Sequence, residues 1–138
     1  MNRDDPGSVA AAAEVMQAAL ELVTAFAAHD VERYFDGFAA EATFLFHSAP
    51  DLIHSRADYR ALWTDWEGHG FRVLCCRSES PRVDLFTPDI AVFTHVVRIR
   101  VADEQSERRE RETIVFRHEP NGPWLAVHEH LSKDPNPN

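Results

Sequence analysis

The chain has 138 residues, of which 14 are Lys or Arg and 23 are Asp or Glu, so its formal net charge is −9. Its hydrophobic content of 44% is enough for one ordinary core, which excludes wholesale disorder. The acidic balance argues against nucleic acid and anionic membranes as partners, because both attract clustered Lys and Arg. We therefore expect a single domain that binds neither.

The sequence also predicts a cytoplasmic location. Residues 1–7 contain acids and lack the apolar stretch of a signal peptide, and no apolar run approaches the roughly 20 residues that span a bilayer. The two cysteines, Cys75 and Cys76, are adjacent and cannot form an ordinary disulfide between distant segments. This usage is typical of a reducing compartment.

Helical spacing of apolar residues predicts three helices in the first half of the chain. Ser8 is the expected N-cap of the first helix, which runs to about residue 28. Asp30 caps a short second helix whose apolar positions end at Phe38, and Ser55 opens a third that ends near Gly68.

Alternating and β-branched residues predict an all-strand second half, preceded by one strand between the second and third helices. The expected strands cover residues 42–47, 71–79, 82–86, 90–101, 108–118 and 124–132. This order predicts an α+β domain over residues 8–132, with residues 1–7 as a flexible arm and 133–138 as a flexible tail.

Two segments near the C-terminus carry a family resemblance. Residues 112–117 (ETIVFR) and 121–132 (NGPWLAVHEHLS) form a threonine strand, a turn and a Trp strand that closes with His-x-His-x-Ser. With the helix order, this pattern resembles the NTF2-like superfamily, most closely SnoaL-like domains, and is similar to the association domain of calcium/calmodulin-dependent kinase II. The superfamily contains isomerases, cyclases, dehydratases, binding modules and oligomerisation domains, so the fold does not fix the activity.

The resemblance implies a cone, in which a strongly curved antiparallel or mixed sheet wraps three N-terminal helices around an apolar pocket. It also implies a homodimer formed through the outer face of the sheet. Aromatic side chains at helical spacing are the expected walls of the pocket, although the same pattern is typical of plain core packing. These candidate ligand-binding residues are Phe26, Tyr34, Phe38, Tyr59, Trp63 and Trp66.

Strand alternation sorts the remaining candidates into two faces. By resemblance, the face with Ile114 and Leu125 looks inward, which places Glu112 and Glu129 at the pocket as a catalytic and a ligand-binding candidate. The opposite face of the last strand then carries the expected dimer contacts, which are Trp124, His128 and His130.

Two histidines are candidates for acid/base chemistry. The carboxylate base and the oxyanion donors of a ketosteroid isomerase are absent at the matching positions, so His47 is a candidate base in their place. His95 lies on an apolar strand face, where Glu112 can orient it as a catalytic dyad. For both histidines, the competing interpretation is a hydrogen-bonded residue without chemistry.

The pair His128 and His130 has the spacing of two metal ligands, but zinc needs three or four. We therefore expect no metal and no cofactor. The sequence favours a cofactor-free acid/base isomerase, cyclase or dehydratase that acts on a hydrophobic small molecule. The alternative is a non-catalytic ligand-binding or oligomerisation module that uses the same pocket and sheet.

Overall fold

A computed structural model describes residues 4–136, and the remaining residues of the predicted arm and tail lie outside this description. Three helices and five strands follow one another in the order expected of an α+β domain. The helices are α1 (Pro6–Ala27), α2 (Val31–Asp36) and α3 (Arg56–Gly68); the strands are β1 (Phe38–Phe46), β2 (Val73–Thr87), β3 (Ile90–Val101), β4 (Arg108–His118) and β5 (Trp124–Lys133).

The N-caps of α2 and α3 are those predicted, whereas that of α1 differs. Asp30 accepts a hydrogen bond from the backbone of Arg33, and Ser55 accepts one from that of Asp58. The first helix begins at Pro6 within the predicted arm, because Asp5 caps it and proline has no N–H to leave unpaired at this position. Ser8 lies inside the helix.

By length and composition, α1 passes the test for a membrane-spanning helix, so the prediction that no apolar run approaches that length was wrong; core helices of soluble proteins and signal sequences near an N-terminus also pass this test. One stripe of this helix, formed by Val15, Ala19, Leu22 and Ala25, is buried. The stripe belongs to the main core, where it meets side chains of the sheet such as Phe93. The helix therefore packs as an amphipathic core element within the described part of the chain.

The five strands form one curved, open sheet in the order β1-β5-β4-β3-β2. Strand β1 pairs with β5 in parallel, and the other pairs are antiparallel. The bounds of β3 and β4 are those predicted. The two pieces expected at 71–79 and 82–86 are one strand, β2, whose register shifts between Glu79 and Arg82.

The boundary between α2 and β1 differs from the prediction at Phe38. Helical periodicity continues to this residue in the sequence, but the helix ends at Gly37 and Phe38 begins β1. Gly37 approaches α1 so closely that a Cβ there would lie 2.4 Å from Leu22 Cδ2. This close contact turns the chain into the sheet.

A β-bulge changes which residues of β5 point into the core. Val115 pairs with His128 and Phe116 pairs with Ala126, so Val127 is an extra residue without a partner on β4. Trp124 therefore points into the core, where it is 6% exposed and its indole N–H donates to Glu14 of α1 at 3.1 Å. The prediction that Trp124 lies on the outer, dimer-forming face was wrong. That prediction assumed strict alternation along β5, and the bulge interrupts it.

Candidate functional site

A cavity of about 90 Å³ lies between the helices and the inner face of the sheet. Its walls include five of the six aromatic residues that the sequence predicted for a pocket, and also Glu112 and Glu129. Phe38 is the exception, because it is completely buried behind Tyr34 and Phe44 and does not line the space. The five aromatic residues are Phe26, Tyr34, Tyr59, Trp63 and Trp66.

The aromatic side of the cavity is a set of rings in edge-to-face and tilted contact. Trp63 lies at its centre, with ring centroids 4.9 Å from Phe71 and 5.3 Å from Tyr34. The hydroxyls of Tyr34 and Tyr59 are hydrogen-bonded at 2.9 Å, and burial raises the pKa of both phenols well above their ordinary value. The buried indole N–H of Trp63 has no hydrogen-bond partner among the described residues.

Glu112 lines the cavity and is hydrogen-bonded into a polar row across β2, β3 and β4, whose other members, His95 and Ser78, do not line the space. His95 is opposite Glu112 in the sheet register, and its Nε2 lies 2.6 Å from Glu112 Oε1. The Nδ1 atom of the same ring lies 2.6 Å from Ser78 Oγ, and the His95 side chain is fully buried. The predicted contact between His95 and Glu112 is thus present, while its catalytic role stays a prediction.

Glu112 and Glu129 form a buried carboxylate pair on adjacent strands. Glu112 is opposite Leu131, and Glu129 is opposite Ile114, so the two carboxyl groups are diagonal neighbours on the inner face. Burial and the neighbouring Glu112 carboxylate raise the pKa of Glu129 well above its ordinary range. Burial also raises the pKa of Glu112, but hydrogen bonds with Glu129 and His95 outweigh it and lower the net value.

The opposite pKa shifts favour different protonation states of the two carboxyl groups. Charges of the same sign on neighbouring buried carboxyl groups oppose each other, so one proton for the pair is favoured over none. The directions of the shifts favour this proton on Glu129 and the negative charge on Glu112. Oε1 of Glu129 is buried and has no hydrogen-bond partner among the described residues, which leaves one acceptor free beside the cavity.

A second His–Glu pair lies beside this row. His47 follows β1 and hydrogen-bonds through Nε2 to Oε2 of Glu110, which lines the cavity and is only 4% exposed. His47 itself does not line the cavity, so it reaches the space through Glu110. Arg108 also lines the cavity; its guanidinium lies 3.1 Å from Glu104 and 3.8 Å from Glu110.

Sequence reasoning missed two members of this site. The alternation of β4 already placed Glu110 on the face of Glu112, but a run of mixed charges disguised it as solvated surface. Ser78 gave no signal, because a single serine in a strand has no distinguishing pattern.

Two further candidate residues, His128 and His130, lie on the outer face of the sheet. His128 is half-buried and its Nδ1 is hydrogen-bonded to Thr43 Oγ1 at 2.8 Å, while His130 is exposed. Burial and the nearby His130 lower the pKa of His128. Within residues 4–136, no group of three His, Cys, Asp or Glu side chains is arranged to hold a metal ion.

Comparison with known proteins gives the fold context of this site. The family model of the SnoaL-like domain matches residues 15–136. A search of curated proteins returned no relative of the chain.

Solved structures of several proteins share the architecture. An NTF2-like protein of unknown function from Pseudomonas putida KT2440 is 19% identical, with a TM-score of 0.77 over 91% of this chain and 87% of that one. A ketosteroid isomerase-like protein from Erwinia carotovora atroseptica SCRI1043 is 15% identical, with a TM-score of 0.72 over 88% and 95%. ActVI-ORFA from Streptomyces coelicolor is 16% identical, with a TM-score of 0.67 over 88% and 96%. At these identities the likeness shows the NTF2-like fold alone.

Proposed function

The chain belongs to the family of SnoaL-like domains, and on that basis we propose that it is a cofactor-free enzyme that moves protons on a hydrophobic small molecule. Isomerisation, cyclisation and dehydration are the reaction types that fit. The observation that carries the proposal is the pair Glu112 and Glu129, whose pKa values are driven in opposite directions at the wall of a cavity. Such divergence assigns a base and an acid at the same pH.

The shift of a double bond in a β,γ-unsaturated carbonyl compound illustrates the chemistry. The Glu112 carboxylate takes a proton from the carbon between the carbonyl and the double bond, and the C–H electron pair moves into a dienolate. Glu129 then gives its proton to the γ carbon, the carbonyl re-forms and the double bond comes to lie next to it. The proton on Glu112 passes to Glu129 through their shared hydrogen bond, which restores the starting state without any other reactant.

His95 acts in this proposal as a positioning residue. Its Nε2–H fixes the orientation of Glu112 Oε1, and the hydroxyl of Ser78 holds the other ring nitrogen. A carboxylate held in this way is ready to accept a proton without first reorganising.

The cavity limits the size of the substrate. A dry cavity of about 150 Å³ accommodates benzene, so a cavity of about 90 Å³ limits the substrate to a small molecule with no more than one ring. Apolar walls together with a few convergent polar groups are typical of small-molecule sites.

The test is deuterium incorporation from D₂O into small one-ring ketones, followed by NMR, with cyclohexanone and 1-methylpiperidin-4-one as probes. We expect exchange at the carbon next to the carbonyl to exceed the buffer rate, and Glu112→Gln to lower the enzymatic part by about a hundredfold or more. The matched control is Glu21→Gln, which removes one charge from the exposed face of α1. Exchange that is unchanged in Glu112→Gln would contradict the proposal and favour a non-catalytic binding module.

We also propose that the chain is a homodimer that pairs through the outer face of the sheet. The surface there carries β-branched side chains at Thr94, Val96 and Thr113, next to His130. Native mass spectrometry should give twice the mass of the chain, and Val96→Arg should give the monomer because it places an unpaired charge in the contact. A monomeric wild type would contradict this proposal.

A further inference from the structure

We infer that the ligand of the cavity is a small organic cation, an amine that is protonated at neutral pH, rather than a neutral or anionic molecule. The inference rests on the proposed function only in that it places the ligand against the same carboxylate pair. It deepens that proposal by naming the chemical class of the substrate.

The ionisable groups that line the cavity are predominantly acidic. Three of the lining residues are glutamates, at positions 110, 112 and 129, and one is an arginine. Arg108 has a side chain that is 38% exposed and forms ion pairs with Glu104 and Glu110, while its buried Nε makes no hydrogen bond within the described residues. The carboxylates face a space with low-dielectric walls, where charges act more strongly than in water.

One buried acceptor lacks the donor that it needs. Glu129 is 4% exposed and lines the cavity, yet its Oε1 has no hydrogen-bond partner among the described residues. A buried polar atom without a partner is unfavourable, and an ammonium group supplies both a donor and a compensating charge. The indole N–H of Trp63, which also lines the cavity, lacks a partner among the described residues as well.

The remaining walls are suited to a cation. The rings of Phe26, Tyr34, Tyr59, Trp63 and Trp66 surround the space, and aromatic faces attract ammonium groups through their quadrupole. An anion would meet the carboxylates with only Arg108, already in ion pairs with Glu104 and Glu110, as a positive partner. A neutral ligand would leave the charges on Glu110 and Glu112 uncompensated from the cavity side.

Neighbouring titrations point the same way. Burial is the main cause of the raised pKa of Tyr34, Tyr59 and Cys76. The carboxyl groups of Glu112 and Glu129 add to the pKa shift of all three, and that of Glu110 adds to the shift of Cys76, which is the direction expected of a negative potential in the space. A bound cation would oppose that potential and favour ionisation of Glu129, so binding should release a proton.

The test compares piperidinium with tetrahydropyran, two six-membered rings of nearly equal shape that differ in charge, by isothermal titration calorimetry at neutral pH. We expect piperidinium to bind at least about tenfold more tightly, as a desolvated cation–π contact and a hydrogen bond to a carboxyl group together allow. Repeating the titration in two buffers of different ionisation enthalpy should reveal proton release.

Two variants make the result specific. Glu129→Gln preserves the shape of the protonated acid but cannot ionise, and we expect the preference for piperidinium to shrink severalfold and the proton release to disappear. Glu21→Gln removes the same charge from an exposed position and should keep both. Thermal unfolding of each variant confirms that it is folded.

The outcomes separate this inference from the proposed function. Equal or tighter binding of tetrahydropyran, or no binding of piperidinium, overturns the cation inference, even if ketone exchange depends on Glu112. A charge preference that needs Glu129, without exchange on either ketone, supports the inference and overturns the proposed enzyme.

Discussion

Two histidine–glutamate pairs in this fold have nearly the same length but different surroundings. His95 Nε2 lies 2.6 Å from Glu112, and His29 Nε2 lies 2.7 Å from Glu67. Both imidazoles are buried, with side chains 0% and 8% exposed. The length of the contact therefore does not distinguish a chemical role from a structural one, and the second ring nitrogen is more informative.

The second nitrogen of His29 faces a group that can only donate. The backbone N–H of Val73 donates to His29 Nδ1 at 3.0 Å, so this nitrogen must be unprotonated. His29 has a positive φ of 53° in the turn between α1 and α2, and its ring packs 5.3 Å from Trp63. Its hydrogen bonds with Glu67 and Val73 connect this turn to α3 and β2.

The second nitrogen of His95 faces the hydroxyl of Ser78, which can donate or accept. The hydroxyl can therefore accept from a protonated Nδ1 or donate to an unprotonated one. The other partner of His95, Glu112, is joined to a second carboxyl group, whereas Glu67 is 35% exposed on a helix. A contact that suits either hydrogen-bonding role of the ring is what acid/base chemistry requires of a group next to the base.

The largest expected effect separates the two pairs by activity. His95→Asn should lower the rate of ketone exchange by about ten- to a hundredfold and shift its pH profile, because the shorter amide does not reach Glu112 and the carboxylate loses its orienting donor. Glu67→Gln should leave the rate within about twofold, since Glu67 does not contact the carboxylate pair. The measurement is exchange against pH by NMR, and His95→Gln is a second variant, whose longer amide keeps a donor at the position of Nε2 and should restore part of the rate. Equal losses in His95→Asn and Glu67→Gln would remove the distinction.

The sequence predicted the His95–Glu112 pair because regular alternation is reliable where strands are regular. Strand β3 alternates buried and half-buried residues from Ala91 to Ile99, and its pairing with β4 has no register shift. The same reasoning failed at Trp124, because one extra residue at the bulge reverses the facing of the strand. His29 gave no signal, since its role depends on a turn and on two segments far along the chain.

The next prediction concerns stability, to which the His29 pair should contribute more than the His95 pair. His29→Ala should lower the free energy of unfolding by about 1–3 kcal/mol, because it leaves the backbone N–H of Val73 unpaired and removes packing against Trp63. Urea unfolding at neutral pH measures it. The control is His69→Ala at the exposed end of α3, where the side chain is 79% exposed and the loss should stay within about 0.5 kcal/mol.

A third prediction removes the feature that only the His95 pair has, the second carboxyl group. The pKa of Glu129 is raised in the folded protein, so the folded state keeps a proton that the unfolded chain releases as pH rises. Its contribution to stability is therefore complete below the ordinary Glu pKa and is lost as pH increases through the folded value.

Glu129→Gln cannot ionise, so its stability relative to the wild type should increase with pH, by at most about 1.4 kcal/mol per pH unit. Urea unfolding of both proteins at about pH 5 and about pH 8 measures the change in this difference. For Glu112 the sign is opposite, because its lowered pKa makes its contribution disappear as pH falls. A Glu129→Gln difference that is independent of pH would mean that the two carboxyl groups do not share a proton.

The smallest expected effect concerns the partners of the two Nδ1 atoms. Ser78→Ala should cost about 0.5–1.5 kcal/mol in the free energy of unfolding, because Ser78 is only half-buried and a water molecule can replace its hydroxyl. The buried N–H of Val73 has no such substitute, which is why His29→Ala is the more damaging change. Imidazole nitrogen shifts from NMR should show that His95 keeps its proton on Nε2 in Ser78→Ala, since Glu112 still accepts it there. A move of that proton to Nδ1 would show that Ser78, rather than Glu112, fixes the ring, and the two histidine pairs would then differ for another reason.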